Sequence, residues 1–304
     1  MYKFDCPILS SSLDLSLIEN EVNNEKSANE LANLNGFLMA TLNEDVGTGD
    51  ITTLACVPET AVSKGFFIAK EPGVISGLGL LSRIFKLFDD AVCVTPLVCD
   101  GDPVEAGDII AEISGPSRAI LTGERTALNL LQHMSGIATK TAEAVREVSG
   151  TKTKILDTRK TTPGLRALDK YAVKCGGGTN HRFNLTDGVL IKDNHIKAAG
   201  GITNAVNNVR ENNPNELKIE VETENLEQVK EALTAGADII MLDNMTPELM
   251  TEAVKLINGR ALTEASGNMG KRDLKTIAET GVDFISIGAL THSIKAMDIS
   301  LRFE

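Results

Sequence analysis

The chain has 304 residues, 42% apolar and 24% charged, the proportions of an ordinary globular protein rather than a disordered or fibrous one. Thirty Lys and Arg against 42 Asp and Glu give a net charge of −12, which excludes an extended nucleic-acid surface, because such surfaces need an excess of cations. The length predicts two domains, and five cysteines without a C-x-x-C pair predict reduced thiols in a cytoplasmic protein.

Residues 1–25 read as a polar arm rich in Ser and Asn, unlike a secretory signal. Apolar runs such as 239–242 are strand-sized, so no membrane span is expected. Ala28, Leu31, Leu34, Leu38 and Leu42 repeat at helical spacing, and a turn-rich stretch follows at 44–50. Residues 64–121 read as short β segments around one helix near 79–88, with turns at Gly101-Asp102 and Gly107-Asp108. A long helix is predicted from near Thr122 to about Val148, with Ala127, Leu131, Met134, Ala138, Ala142 and Val145 as its apolar stripe. Arg125 then falls in the first turn, where a cation opposes the helix dipole; a solvated arginine is the plainer alternative.

The second half alternates strand-like and helix-like segments. Strands are predicted near 154–157, 189–191, 217–222, 238–242, 260–264 and 282–287. Helices are predicted near 163–174, 196–211, 224–235, 246–258 and 271–280. This rhythm implies a parallel sheet with right-handed crossovers. Six units are too few for an eight-unit barrel and suit an incomplete α/β barrel; an open doubly wound sheet is the competing shape.

In parallel α/β folds the reactive groups belong after the C-terminal ends of the strands. In chain order these ends carry Arg159 and Lys160, then Lys192, then Glu222, then Asp243, then Ser266-Gly267-Asn268, then Gly288-Ala289. Residues 157–197 hold eight cations against four acids, a local net charge of about +4 that leaves about −16 for the rest. A solvated helix face accounts for Arg166, Lys170 and Lys174. It accounts less well for Arg159, Lys160, His181, Arg182 and Lys192, which lie at strand ends or in a Gly-rich loop. Ser266, Gly267, Asn268, Gly288 and Ala289 offer backbone N–H groups near helix starts, a seat for phosphate. Glu222 and Asp243 end adjacent units, where they suit Mg²⁺ held with substrate phosphates, ribose hydroxyls, or mere strand-end capping. Glu220 shares the face of Glu222, so pattern alone leaves the choice between them open.

Residues 156–196, LDTRKTTPGLRALDKYAVKCGGGTNHRFNLTDGVLIKDNHI, resemble the quinolinate phosphoribosyltransferase family. So do EDVGTGDIT at 44–52, GERTALNLLQHMSGIAT at 123–139, IEVE at 219–222, MLDN at 241–244, EASGN at 264–268 and ISIGALTHS at 285–293. The resemblance implies an N-terminal α/β sandwich over 26–125 and an incomplete α/β barrel over 126–290, with residues 291–304 packing back on the sandwich. It implies transfer from phosphoribosyl pyrophosphate to quinolinate with decarboxylation, in a head-to-tail homodimer where Arg125 reaches the neighbouring site. Arg159, His181 and Arg182 match the residues that hold the quinolinate carboxylates. Lys160 and Lys192 match lysines at the junction with the pyrophosphate site. Glu222 and Asp243 match acids near the ribose and its Mg²⁺, and Ser266, Gly267, Asn268 and Gly288 match the 5′-phosphate loops. Asn268 and Met269 stand where many relatives carry Gly and Ile. The rivals are a paralogue with another acceptor, such as the protein associated with molybdenum transport, and a non-catalytic metabolite binder.

Overall fold

Leu34, Leu38 and Leu42 lie buried on one face of the first helix, α1 (Glu25–Val46), as their spacing predicts. The computed structural model describes residues 25–213 and 216–304, with side chains from residue 33; the polar arm up to residue 24 and the side chains of Ala28 and Leu31 lie outside this description. After α1, Asp50 caps the short α2 (Ile51–Cys56) by accepting the Thr53 amide at 3.0 Å. Next come β1 (Val62–Ala69), β2 (Gly73–Val74), α3 (Leu78–Lys86), β3 (Cys93–Pro96), β4 (Pro103–Val104) and β5 (Ile109–Pro116). The two Gly-Asp pairs are turns closed by their own aspartates. Asp102 accepts the Cys99 amide and Asp108 the Glu105 amide, both at 2.8 Å.

α4 (Ser117–Glu147) begins earlier than its apolar stripe suggests, directly after Pro116 ends β5. Arg125 therefore lies well past the first turn. An opposing helix dipole, which acts only within that turn, is not its defining feature.

The remaining elements alternate. They are β6 (Lys154–Leu156), α5 (Arg166–Cys175), β7 (Val189–Ile191), α6 (Asp193–Ala199), α7 (Ile202–Asn212), β8 (Ile219–Thr223), α8 (Leu226–Thr234), β9 (Ile239–Asp243), α9 (Pro247–Ile257), β10 (Leu262–Ser266), α10 (Leu274–Glu279), β11 (Phe284–Ser286), α11 (Ala289–His292) and β12 (Ile299–Phe303). The helix predicted over 196–211 is two, because Gly200 takes the left-handed conformation that closes α6.

Two units result. Among the described residues, the first comprises those up to Thr139 with Ala167–Gly176 and Lys295–Glu304, the second Lys140–Arg166 and those from Gly177 to Ile294. The division falls inside α4, later than the residue-125 boundary read from sequence. Hydrogen bonds explain why: Ser135 and Thr139 of α4 accept the Ser76 and Val74 amides. In the same unit His133 of α4 meets Asp169 of α5 at 2.7 Å, and Tyr171 donates to Asp100 at 2.8 Å.

In the first unit an antiparallel sheet runs β12-β1-β5-β3, so the C-terminal strand pairs along β1. Leu78, Leu80, Leu81, Ile84 and Phe85 of α3 are buried, with the Phe85 and Phe67 rings 6.4 Å apart. Such burial stabilises by roughly 1.5–3 kcal/mol per large side chain.

In the second unit the parallel strands run β6-β11-β10-β9-β8-β7. That order is chain order wrapped into a ring, with the first strand beside the last and one break, between β6 and β7. A doubly wound sheet would instead reverse direction at a central first strand, so this is the incomplete α/β barrel. The Gly-rich segment borders the break. Thr179 bridges to Leu156, donating to Ile155 O at 2.8 Å and accepting from the Asp157 amide at 3.2 Å.

Candidate active site

The strand ends of the second unit surround one cavity of about 630 Å³, within the usual range for a small-molecule site. Arg159 and Lys160 follow β6, and Arg182 and His181 come from the loop before β7. Lys192 follows β7, while Glu222 and Asp243 end β8 and β9. Ser266, Gly267, Asn268, Gly288 and Ala289 complete the far side. Of the residues singled out by sequence, Arg125 and Glu220 do not line it; the Arg125 side chain is exposed on the part of α4 in the first unit.

The cations are crowded. Burial, and then the charge of Arg159, lower the proton affinity of the Arg182 guanidinium. Arg182 Nη1 donates to Gly188 O at 2.9 Å, whereas Arg159 Nε is buried without a protein acceptor. Arg166 is not a solvated residue as its spacing suggested. Its guanidinium reaches Thr161 Oγ1, Phe183 O and Arg159 O at 3.2–3.4 Å, tying together the two loops that carry the other arginines. Lys170, expected on the same wet face, is buried, because α5 packs within the first unit.

The open choice on β8 resolves into two depths of one face. Glu222 lines the cavity, and burial and then Asp243 raise its carboxyl above the usual range, against the pull of Lys192. Glu220 lies deeper, 3% exposed, with Oε2 3.1 Å from His181 Nε2; Glu264 Oε2 is 3.4 Å from the same nitrogen. Burial and the Glu264 charge push Glu220 up to about 7. For His181 burial opposes protonation, but the two glutamates outweigh it and push the ring up to about 10. The other oxygen of each glutamate is buried without a partner. Sequence reading missed this cluster, since its members come from three distant segments.

The glycine loops are shaped by contact. Gly267 has φ +93°, and a Cβ there would overlap the Asn244 side chain and lie 2.7 Å from its backbone nitrogen. Asn268 takes φ +54°, a conformation that asparagine tolerates better than other non-glycine residues. A Cβ on Gly288 would stand 3.0 Å from Lys160 Cδ and 3.2 Å from His292 Nε2. Asn268 caps a single 3₁₀ turn (Met269–Lys271) and Gly288 caps the four-residue α11, so both loops do lie at helix starts, though short ones. Lys140, Lys271 and His292 also line it and were not singled out by sequence; ISIGALTHS holds the last of them. Lys140 Nζ donates to Ser293 O at 2.6 Å, and His292 Nδ1 meets Ser293 Oγ at 2.7 Å.

Clustered guanidinium and ammonium groups, paired carboxylates and glycine-lined loops at the strand ends of an incomplete barrel define an α/β-barrel enzyme for polyanionic substrates. Family models describe the quinolinate phosphoribosyl transferase N-terminal domain over residues 50–135 and its C-terminal domain over residues 137–302. The chain belongs to the quinolinate phosphoribosyltransferase family. It is 47% identical over 268 residues to a probable carboxylating nicotinate-nucleotide pyrophosphorylase of Bacillus subtilis, covering 88% of this chain and 91% of that one. It is 44% identical over 290 residues to a decarboxylating quinolinate phosphoribosyltransferase of Nicotiana glauca, covering 89% and 82%. The nicotinate-nucleotide pyrophosphorylase structure from Francisella tularensis superposes with a TM-score of 0.85 at 41% identity, covering 90% of this chain and 96% of that one.

Proposed function

We propose that this chain transfers the phosphoribosyl group of phosphoribosyl pyrophosphate to quinolinate, with decarboxylation, to give nicotinate mononucleotide, pyrophosphate and CO₂ for NAD biosynthesis. The observation that carries this reading is the meeting of Arg159, Lys160, Arg182 and Lys192 with Glu222 and Asp243 in one cavity. A dicarboxylate and a pyrophosphate ester both need dense positive charge, and the arginine fork matches a planar carboxylate.

Arg159, His181, Arg182 and Lys192 form the acceptor pocket, with Arg159 Nε the buried donor that a carboxylate would complete. Lys160 and Lys192 stabilise the departing pyrophosphate. Ser266, Gly267, Asn268, Gly288 and Ala289 seat the 5′-phosphate. As the bond from the anomeric carbon to pyrophosphate breaks, the ribose becomes oxocarbenium-like. Glu222 and Asp243 favour that charge electrostatically. The pyridine nitrogen then bonds the anomeric carbon. Its positive charge stabilises the electron pair left on the adjacent ring carbon as the carboxylate departs as CO₂, and a proton from water completes that carbon. No protein nucleophile is required.

Glu222 and Asp243 fit Mg²⁺: they are hard oxygen donors, and burial and then the Asp243 charge raise the Glu222 carboxyl, a state a cation would relieve. When bound with the substrate phosphates, Mg²⁺ supplies charge neutralisation of the pyrophosphate. The enzyme acts as a homodimer in which Arg125 completes the neighbouring subunit's acceptor pocket; its exposure and its place outside its own cavity support this. A cytoplasmic location accords with the free Cys56, Cys93 and Cys175, and among the described residues no helix is long and apolar enough to cross a membrane.

Purified protein given quinolinate, phosphoribosyl pyrophosphate and Mg²⁺ should release nicotinate mononucleotide and CO₂ in equal amounts. Folded protein that forms neither product, or that prefers a different acceptor in competition, would overturn the reading.

A further inference from the structure

Asn244 stands between the two ends of the proposed phosphoribosyl site. It follows Asp243 at the end of β9, lines the cavity and takes φ +55°, a left-handed conformation that asparagine tolerates better than most side chains. Its Nδ2 donates to Asp243 Oδ2 at 2.6 Å. Its backbone amide donates to Ser266 O at 3.0 Å. The carboxamide also fills the space under Gly267, where a Cβ would overlap Asn244 Oδ1. Asn268 Nδ2 reaches the same Oδ1 at 3.4 Å, a long contact that adds little.

These neighbours dictate the side chain. An ionised carboxylate only accepts, so the amide nitrogen must face Asp243 and the oxygen must face the loop. Aspartate would suit the backbone and the space but would set a second carboxylate against the first. Glycine would suit the backbone and supply neither contact. Asparagine meets all three demands.

We infer that Asn244 is a positioning residue of the phosphoribosyl site, holding the Asp243 carboxylate in register with the Ser266-Gly267-Asn268 loop. The inference rests on the reading of Asp243 and that loop given above. In phosphoribosyl pyrophosphate the ring and the 5′-phosphate are joined covalently, so their separation varies within narrow limits. A site that meets both must keep the acid facing the ring and the amides facing the phosphate at a matching distance. β9 and β10 are parallel neighbours, and their ladder ends with Asp243 opposite Ser266. Beyond that pair the contacts of Asn244 continue the tie between the two loops. Groups held in place before the substrate arrives need no ordering when it binds.

The test separates positioning from support of the fold. Asn244→Gly removes both side-chain contacts without straining the backbone, and Asn244→Asp keeps the shape but turns the donor into a like charge. Equilibrium binding to the full chain uses two probes. Ribose 5-phosphate spans ring and phosphate, and inorganic phosphate occupies the loop alone. Asn244→Gly should weaken ribose 5-phosphate about tenfold, the worth of one hydrogen bond to a charged group, and inorganic phosphate by no more than about threefold. With Asp243→Ala already in place, Asn244→Gly should cost ribose 5-phosphate no more than it costs phosphate, because the carboxylate that Asn244 orients is gone. In turnover, Asn244→Gly and Asn244→Asp should each lower kcat/KM for phosphoribosyl pyrophosphate about tenfold, with KM for quinolinate within about twofold. Equal losses for the two probes would overturn the proposal, and so would a ribose 5-phosphate loss undiminished in the Asp243→Ala background. Asn244→Asp enzyme with the parent's kcat/KM would overturn it as well, and decides the matter if the glycine variant does not fold. Parent enzyme that binds neither probe would instead remove the phosphoribosyl-site reading itself.

Discussion

Arg159 works against its neighbour Arg182: after burial, its charge is the largest influence lowering the proton affinity of the Arg182 guanidinium. Two like charges held together in this way store repulsion that a bound dianion relieves. Arg159→Ala or Arg182→Ala should therefore raise KM for quinolinate about 10- to 100-fold, the range for losing one charge-assisted hydrogen bond. In the double variant the loss should be less than the product of the single ones, because each single substitution also removes repulsion. Steady-state kinetics with quinolinate varied against saturating phosphoribosyl pyrophosphate measures both.

At the phosphate end, Gly267→Ala should impair phosphoribosyl pyrophosphate binding far more than Asn268→Gly. Gly267 combines φ +93° with a Cβ position already filled by Asn244, so a methyl group must displace the turn, at a cost of about 1–3 kcal/mol. Asn268→Gly only relaxes a tolerated left-handed residue. Isothermal titration with phosphoribosyl pyrophosphate distinguishes them, and equal losses would remove the steric argument.

The proposed sharing of the site between subunits has a mixing test. Arg125→Ala and Lys192→Ala enzymes, each inactive alone, should regain partial activity as mixed dimers. Such dimers contain one site that lacks both changes if Arg125 serves the neighbouring subunit. Differently tagged subunits, refolded together and purified through both tags, provide the sample. No recovery in confirmed mixed dimers would show that Arg125 acts elsewhere.

Asp283 makes barrel stability depend on acid. Burial opposes its ionisation, but Lys152 Nζ at 2.6 Å and the Thr263 amide and hydroxyl, at 2.9 and 2.7 Å, hold the carboxyl below its usual 3.8. With the folded value depressed, the stabilisation is complete above the unfolded value of 3.8 and fades as pH falls through the lower folded one. Asp283→Asn should thus lower the melting temperature most at pH 7, with the deficit shrinking as the pH falls below 4. A deficit independent of pH would show that packing, not charge, is responsible.

The thiols should react in order of burial. Burial, and then the charge of Asp100, push Cys175 up to about 12, leaving about one part in ten thousand as thiolate at pH 8. Cys56 and Cys93 are exposed. Iodoacetamide at pH 8 should label those two within the time that Cys175 remains unmodified, as read by peptide mass spectrometry.

Much of this architecture is legible in sequence because buried parallel strands are short apolar runs, and the chemistry collects just beyond each run. Lys192, Glu222 and Asp243 could be placed from that rule alone. Other residues followed tertiary contacts that no local pattern carries. Arg166, Lys170 and Lys174 are spaced as a wet helical face, yet Lys170 is buried and Arg166 ties loops together. Glu264 was visible as a strand-end acid, but its meeting with Glu220 and His181 depends on strand order and loop path. The break at Gly200-Gly201 was readable, since paired glycines seldom continue a helix.

The bridge between Thr179 and Leu156 has a second life outside catalysis. It occupies the edge that β6 presents at the barrel's one break, and an unpaired strand edge is a template for another chain. The loop that continues to His181 and Arg182 is thus also a guard against self-association. A substitution that loosens it would reach the cell as lost soluble protein as well as lost turnover, and selection on solubility would help to preserve a loop shaped for its ligand.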